Sequence, residues 1–166
     1  YMENLEDPEV ETWFRAQASY TESYLNGLGS RASLFDRLEE LDQGVPFTTG
    51  SVQRLSNGMQ FYLRRDRGEN LYKLYLRTSE NGQEHLLVDP ESMSSGSEQH
   101  YSLEGYVPSP TGDFVVYGLA QGGSEQTTYY VLDVASGAVI GSPINNIETA
   151  YNWPQWSEDE SGFFYS

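Results

Sequence analysis

The 166-residue sequence predicts a mainly β chain, built from four-stranded antiparallel propeller blades and preceded by a pair of α-helices. Three observations carry that expectation. A turn-and-strand unit, Ser109-Pro110-Thr111-Gly112-Asp113-Phe114-Val115-Val116-Tyr117-Gly118, is echoed 48 residues later by Ser157-Glu158-Asp159-Glu160-Ser161-Gly162-Phe163-Phe164-Tyr165-Ser166, where the turn is longer and the strand shorter. A fainter echo lies upstream in Ser56-Asn57-Gly58-Met59-Gln60-Phe61-Tyr62-Leu63, so the unit returns at roughly 50 residues, a spacing typical of repeat architectures. The apolar period is helical only between about residues 7 and 43 and strand-like from about 47 onward. Finally, 37% hydrophobic residues with 13 Tyr, 7 Phe and 3 Trp are enough for a core.

The first helix starts at Asp7, a capping residue, with Pro8 at its first position and Glu9 and Glu11 in its first turn, where carboxylates suit the helix dipole. Val10, Trp13, Phe14, Gln17, Thr21, Tyr24, Leu25 and Leu28 follow a three-and-four spacing until Gly27 and Gly29 stop the pattern. Ser30 opens a second helix through Leu34, Leu38 and Leu41, ended by Gly44 and Pro46. Short isolated helices are marginal in water, so these two apolar stripes need a docking surface, either on the propeller or on a further domain.

Strands are expected at 51–55, 60–66, 71–78 and 84–88, separated by turn signals at Asn57-Gly58, Gly68-Glu69-Asn70 and Asn81-Gly82. The Ser-, Gly- and Glu-rich stretch 89–100 reads as a loop. The pattern restarts at 101–109, 113–119, 127–134 and 138–140, with turns at Thr111-Gly112, Gly122-Gly123 and Ser136-Gly137. A third round opens at 148–157 and 162–166. Leu74–Ser79 parallels Val131–Ser136 as the third strand of its round. The expected organisation is therefore a helical segment 1–46 and propeller 47–166, comprising blades 1 and 2 and the first half of blade 3. A propeller closes with about four blades or more. The chain begins with Tyr and ends inside an apolar strand, so it is expected to be a fragment of a longer polypeptide.

Charge and composition narrow the function. Twenty-five acids against nine bases, with Lys73 the single lysine, give a net charge of −16, which disfavours nucleic acid and anionic membrane surfaces as partners. Attraction of cationic peptides, adaptation to salt and simple solubility all fit this balance. No run approaches the length of a membrane span and no signal-peptide pattern opens the chain. The absence of cysteine removes a disulfide framework and a thiolate metal site; it fits the cytoplasm and leaves the periplasm open.

No catalytic residue is expected within the chain. A hydrolase nucleophile elbow of the form Gly-x-Ser-x-Gly is missing, and the nearest approach, Gly122-Gly123-Ser124-Glu125-Gln126, reads as a hairpin turn. Metal and cofactor sites are not expected either, because Glu84-His85 and Glu98-His100 fall in different elements without metal-ligand spacing. The acids Glu39, Glu40 and Asp42 read as a solvated helix face.

Several segments taken together carry a resemblance. They are Leu5-Glu6-Asp7-Pro8 with Trp13-Phe14-Arg15-Ala16-Gln17; His85-Leu86-Leu87-Val88-Asp89-Pro90; Tyr106-Val107-Pro108-Ser109-Pro110-Thr111-Gly112-Asp113; Val116-Tyr117-Gly118 with Gly123-Ser124-Glu125; and Trp156 with Gly162-Phe163-Phe164-Tyr165. In this order and spacing they resemble the prolyl oligopeptidase family of serine peptidases, over essentially the whole chain. Asn4, Glu91 and Ser95-Gly96-Ser97 depart from the family pattern.

The resemblance implies a seven-bladed propeller capping an α/β-hydrolase peptidase domain of the same parent chain, against which the amino-terminal helices pack. It also implies short peptide substrates, a propeller that admits them by size, and cleavage mainly after proline. The catalytic triad then lies outside these residues, and residues 1–166 alone are expected to be inactive. The resemblance makes Tyr151, five positions before Trp156, the expected substrate contact, with Trp153 as its neighbour and second candidate. Two alternatives stay open: a non-enzymatic acidic propeller module, and the sister branch that cleaves after Arg or Lys.

Overall fold

The computed structural model describes residues 2–94, 100–122, 124–148 and 153–165. The chain divides into two compact units, Tyr1–Val45 and Pro46–Ser166.

The first unit is helical. Helix α1 (Pro8–Asn26) begins as its sequence requires: the Glu9 amide donates to Asp7 Oδ1 at 2.9 Å, and Pro8 occupies the first turn. Helix α2 (Arg31–Asp42) follows, but Ser30 makes no side-chain cap; its carbonyl instead accepts the Leu34 amide at 3.0 Å. Arg15 pairs with Glu11 one turn earlier at 2.6 Å. Among the core-type side chains of the two helices only Val10 is buried, while Phe14, Tyr24, Leu34, Phe35, Leu38 and Leu41 are all exposed. The amphipathic stripe read from the sequence is present and open.

The second unit contains two four-stranded antiparallel sheets and the start of a third. The first sheet has the order β1 (Phe47–Arg54), β2 (Gln60–Asp66), β3 (Lys73–Arg77), β4 (Glu84–Val88). After β4 a short helix α3 (Pro90–Ser94) interrupts the stretch expected as a loop; the Glu91 amide donates to Asp89 Oδ1 at 2.9 Å and nucleates it. The second sheet has the order β5 (Tyr101–Pro108), β6 (Phe114–Gln121), β7 (Gln126–Asp133), β8 (Ala138–Glu148). A two-stranded pair, β9 (Gln155–Trp156) with β10 (Phe163–Phe164), begins the next sheet. Four-stranded sheets repeating in this way are propeller blades.

Alternation along the strands decides what packs where. Phe61, Leu63, Leu74, Leu76 and Val88 project from the first sheet onto Tyr106, Val115, Tyr117, Leu119 and Leu132 of the second, forming one buried cluster. The opposite face of the second sheet presents Val116, Tyr129 and Ile147, which Trp153, Trp156 and Phe163 cover. Strand β6 is thus buried on both faces, and it reads as a continuous apolar run for that reason. Gly118 sits within it because a Cβ there would meet Thr127 Cγ2 at 2.6 Å.

The repeated turns all lie at one end of the sheets. In each, the carbonyl of Leu55, Ser109 or Ser157 accepts the amide three residues on, from Gly58, Gly112 or Glu160. The turns are also tied to one another. Asn57 Nδ2 donates to the Thr111 carbonyl at 2.7 Å, and the Thr111 amide and hydroxyl both donate to the Glu160 carboxylate. Gly112 takes φ 83°, and an added Cβ there would lie 2.9 Å from Leu55 Cδ1 and Met59 Sδ.

Candidate functional site

The edge strands β1 and β5 and the segment entering β9 converge on a common side of the second unit. Both strands carry a bulge there, between Gly50 and Gln53 in β1 and between Leu103 and Gly105 in β5. Ser51 takes φ 49°, a conformation rare for a residue with a Cβ. The Tyr106 hydroxyl lies against the Ser51 carbonyl and, at 2.8 Å, the Phe61 carbonyl, its single proton shared between the two. Gln53 Nε2 returns a hydrogen bond to the Tyr106 carbonyl at 2.9 Å. Burial pushes the Tyr106 hydroxyl well above its ordinary pKa, so it remains a neutral donor.

Between these bulges opens a cavity of about 240 Å³ lined by Ser51, Gln53, Glu104, Gly105, Tyr106, Val107 and Trp153. The Trp153 indole reaches it with its ring tip against Gly105, where an added Cβ would lie 2.5 Å from the ring. Its ring also packs at a centroid distance of 5.8 Å from Tyr129. Trp153 is therefore fixed by packing on the second sheet and lines a cavity at the same time. Tyr151 lies outside the described residues.

Glu104 supplies a carboxylate to this cavity, and the Ser102 hydroxyl donates to its Oε1 at 2.6 Å. Neither Glu104 nor Gln53 stood out in the sequence. The available signal was Gly105, a glycine interrupting an aromatic-rich strand, which marks a bulge or a close approach.

A second, larger cavity of about 630 Å³ opens at the opposite end of the second sheet from the repeated turns, among Tyr101, Gln121, Ser124, Gln126, Tyr130 and Asn145. Ser124 belongs to the turn between β6 and β7: its amide donates to the Gln121 carbonyl and its hydroxyl accepts the Gln126 amide at 3.0 Å. His85 lies on β4 opposite Leu76, and the His100 carbonyl accepts the Gly122 amide. Among the described residues no three His, Asp or Glu side chains gather as a metal site.

The ionic groups are distributed unevenly. Residues 47–88 carry six bases and four acids, whereas residues 89–166 carry eleven acids and neither Lys nor Arg. On the first sheet, Arg64 binds Asp66 at 2.7 Å and Glu84 at 2.6 Å, and Arg77 also binds Glu84, at 2.8 Å. The Tyr62 hydroxyl donates to the same carboxylate, and Tyr62 stacks on Tyr75. The Tyr62 bond, with Arg77 and Arg64 beside it, holds Glu84 below the usual carboxylate range; burial and that carboxylate push Tyr62 up to about 12. Lys73 is nearly buried and pairs with Glu69 at 2.6 Å and Asp89 at 3.3 Å, which raise its pKa.

Comparison with known proteins agrees with this architecture. Residues 1–166 match the prolyl oligopeptidase, N-terminal β-propeller domain family. A structure from a structural and mechanistic study of two prolyl endopeptidases, concerned with inter-domain dynamics in catalysis and specificity, is 30% identical with a TM-score of 0.84, over 99% of this chain and 23% of that one. Prolyl oligopeptidase B from Galerina marginata, bound to a 35mer hydrolysis and macrocyclization substrate, is 18% identical with a TM-score of 0.75, over 98% of this chain and 25% of that one. A post-proline cleaving enzyme from Rickettsia typhi is 14% identical with a TM-score of 0.71, over 93% of this chain and 24% of that one. The chain thus spans about a quarter of the length of these relatives. A family match over every residue, on paired helices followed by successive four-stranded blades, means that this chain belongs to the prolyl oligopeptidase family, in its N-terminal β-propeller region.

Proposed function

We infer that these residues serve a prolyl-oligopeptidase-like serine peptidase that hydrolyses short peptides after proline, with the propeller limiting substrate size. The observation that carries this reading is the family match across residues 1–166, supported by the 30% identity to a prolyl endopeptidase structure. The open apolar stripe of α1 and α2 adds to it: Leu34, Phe35, Leu38 and Leu41 each stand more than half exposed, a state suited to docking on the α/β-hydrolase domain of the same parent chain. Tyr151 is the proposed contact with the residues preceding the cleaved proline, where an aromatic face offers broad apolar area at low entropic cost.

The test uses the full-length protein. It is expected to cleave a fluorogenic peptide with proline before the reporter, to label with a fluorophosphonate, and to slow on peptides of about 30 residues or more. Tyr151→Ala is expected to lower kcat/KM on multi-residue peptides about tenfold, and residues 1–166 alone are expected to show no cleavage. No cleavage and no labelling of the full-length protein would leave the acidic binding module as the reading. A preference for arginine over proline before the scissile bond would move the protein to the sister branch, which the net charge of −16 would favour.

A further inference from the structure

We propose that the cavity between the bulges of β1 and β5 is a subsite for a positively charged side chain, the arginine or lysine of a peptide ligand. Three observations converge on this chemistry. The cavity places an indole, Trp153, and a carboxylate, Glu104, on the same walls. An aromatic ring and an anion together recognise a cation through the ring quadrupole and a charge-assisted hydrogen bond.

Of the residues lining the cavity only Glu104 is charged, and acceptor oxygens remain beside the Ser51 hydroxyl. Ser102 occupies Glu104 Oε1 and leaves Oε2; Gln53 gives one Nε2 hydrogen to the Tyr106 carbonyl and keeps the other, with Oε1 as an acceptor. The Tyr106 hydroxyl proton is already shared between the carbonyls of Ser51 and Phe61. A ligand that brings positive charge and donors complements the Glu104 carboxylate, whereas a carboxylate or phosphate is repelled by it.

The surroundings reinforce the local sign. No Lys or Arg lines the cavity, and none occurs anywhere from residue 78 to 166. A cavity of about 240 Å³ accommodates a single side chain and not a folded partner. The bulges lie at the site: Ser51 sits in the first with φ 49°, and Gly105, at the second, admits the Trp153 ring tip. On the peptidase reading, the subsite would favour substrates carrying a basic residue; the peptide nature of the ligand rests on that reading, its charge does not.

The experiment measures N-acetyl-arginine amide against its neutral isostere N-acetyl-citrulline amide, by calorimetric or NMR titration of the full-length protein at low salt. Arginine is expected to bind about three- to tenfold more tightly, the range for a cation at a partly exposed aromatic and carboxylate site. Glu104→Gln keeps the size and the Ser102 hydrogen bond and is expected to abolish the contrast; Trp153→Leu is expected to weaken arginine binding by a similar factor. Equal binding of the two amides, no binding of either in the millimolar range, or an unchanged contrast in Glu104→Gln each overturns the proposal. Cleavage of a neutral proline peptide, measured in parallel, separates the two ideas: its absence removes the peptidase reading and leaves the binding result standing.

Discussion

The sheets β1–β4 and β5–β8 have the same strand order, yet they solve the problem of their two faces differently. The second sheet is apolar on both: Val115, Tyr117 and Leu119 point toward the first sheet and Val116 and Tyr129 toward the third. The first sheet is apolar only toward its neighbour. Its other face carries Tyr62, Arg64, Tyr75, Arg77 and Glu84, joined by ion pairs, ring stacking and cation–π contacts such as Arg77 over Tyr62 at 5.7 Å. A sheet between two neighbours on the same chain is cemented by burial on either side. The first sheet instead presents on that face groups whose interactions need geometry and charge, which makes the face selective about what meets it.

Removing cement should cost most. Leu74→Ala deletes a fully buried side chain between the two sheets and is expected to destabilise the fold by about 3 kcal/mol in denaturant titration, while Tyr75→Leu on the opposite face is expected to cost under about 1 kcal/mol. Equal losses would mean that the two faces contribute alike.

The polar face has a pH signature that the apolar face lacks. Glu84 titrates below its ordinary value of 4.5 because Tyr62, Arg77 and Arg64 favour the carboxylate. A group with a lowered folded pKa adds stability that is present above its unfolded value and lost as pH falls through the folded one. Stability is therefore expected to fall below about pH 4.5, and Glu84→Gln should flatten that fall at a cost of about 1 kcal/mol at neutral pH. An undiminished acid slope in the variant would shift the effect to Glu69, which Lys73 also holds low.

The smallest expected effect comes from the second half of the chain. Eleven acids without a Lys or Arg in residues 89–166 repel one another at low ionic strength. Raising salt through the range where the Debye length shrinks from about 30 to 8 Å is expected to raise Tm by about 2–4 °C. A fall in Tm would show that the ion pairs of the first sheet, which salt weakens, dominate the balance.

Much of this arrangement was legible in the residues. The strand at 84–88 and the turns at Asn57-Gly58 and Thr111-Gly112 carried local signals strong enough to place them, and the repeat gave the blades. Strand β8 was expected at 138–140 and extends to Glu148. Gly141 with φ 71°, Pro143 and Asn146 with φ 61° look like breakers, but an exposed edge strand absorbs them as register shifts. Strand β1 begins at Phe47 and not at 51 because its bulge puts the alternation out of phase. Helix α3 has its cap in Asp89 and Pro90, yet five residues are too few to show a period. The cavity between β1 and β5 joins residues about 50 apart through two bulges, and no local pattern encodes such a meeting.

The chain of turns from Asn57 through Thr111 to Glu160 has a kinetic consequence. Each link spans about 50 residues, 54 for the first and 49 for the second, and is made to the adjacent blade. At a synthesis rate of roughly 5–20 residues per second, a blade waits about 3–10 s for the one that completes its turn. During that interval its apolar face has no mate. The acids of the later blade then arrive beside a sheet that already holds most of the chain's bases, so successive stretches emerging from the ribosome attract rather than repel. The vectorial order of translation and the order of the blades are thus one sequence of events.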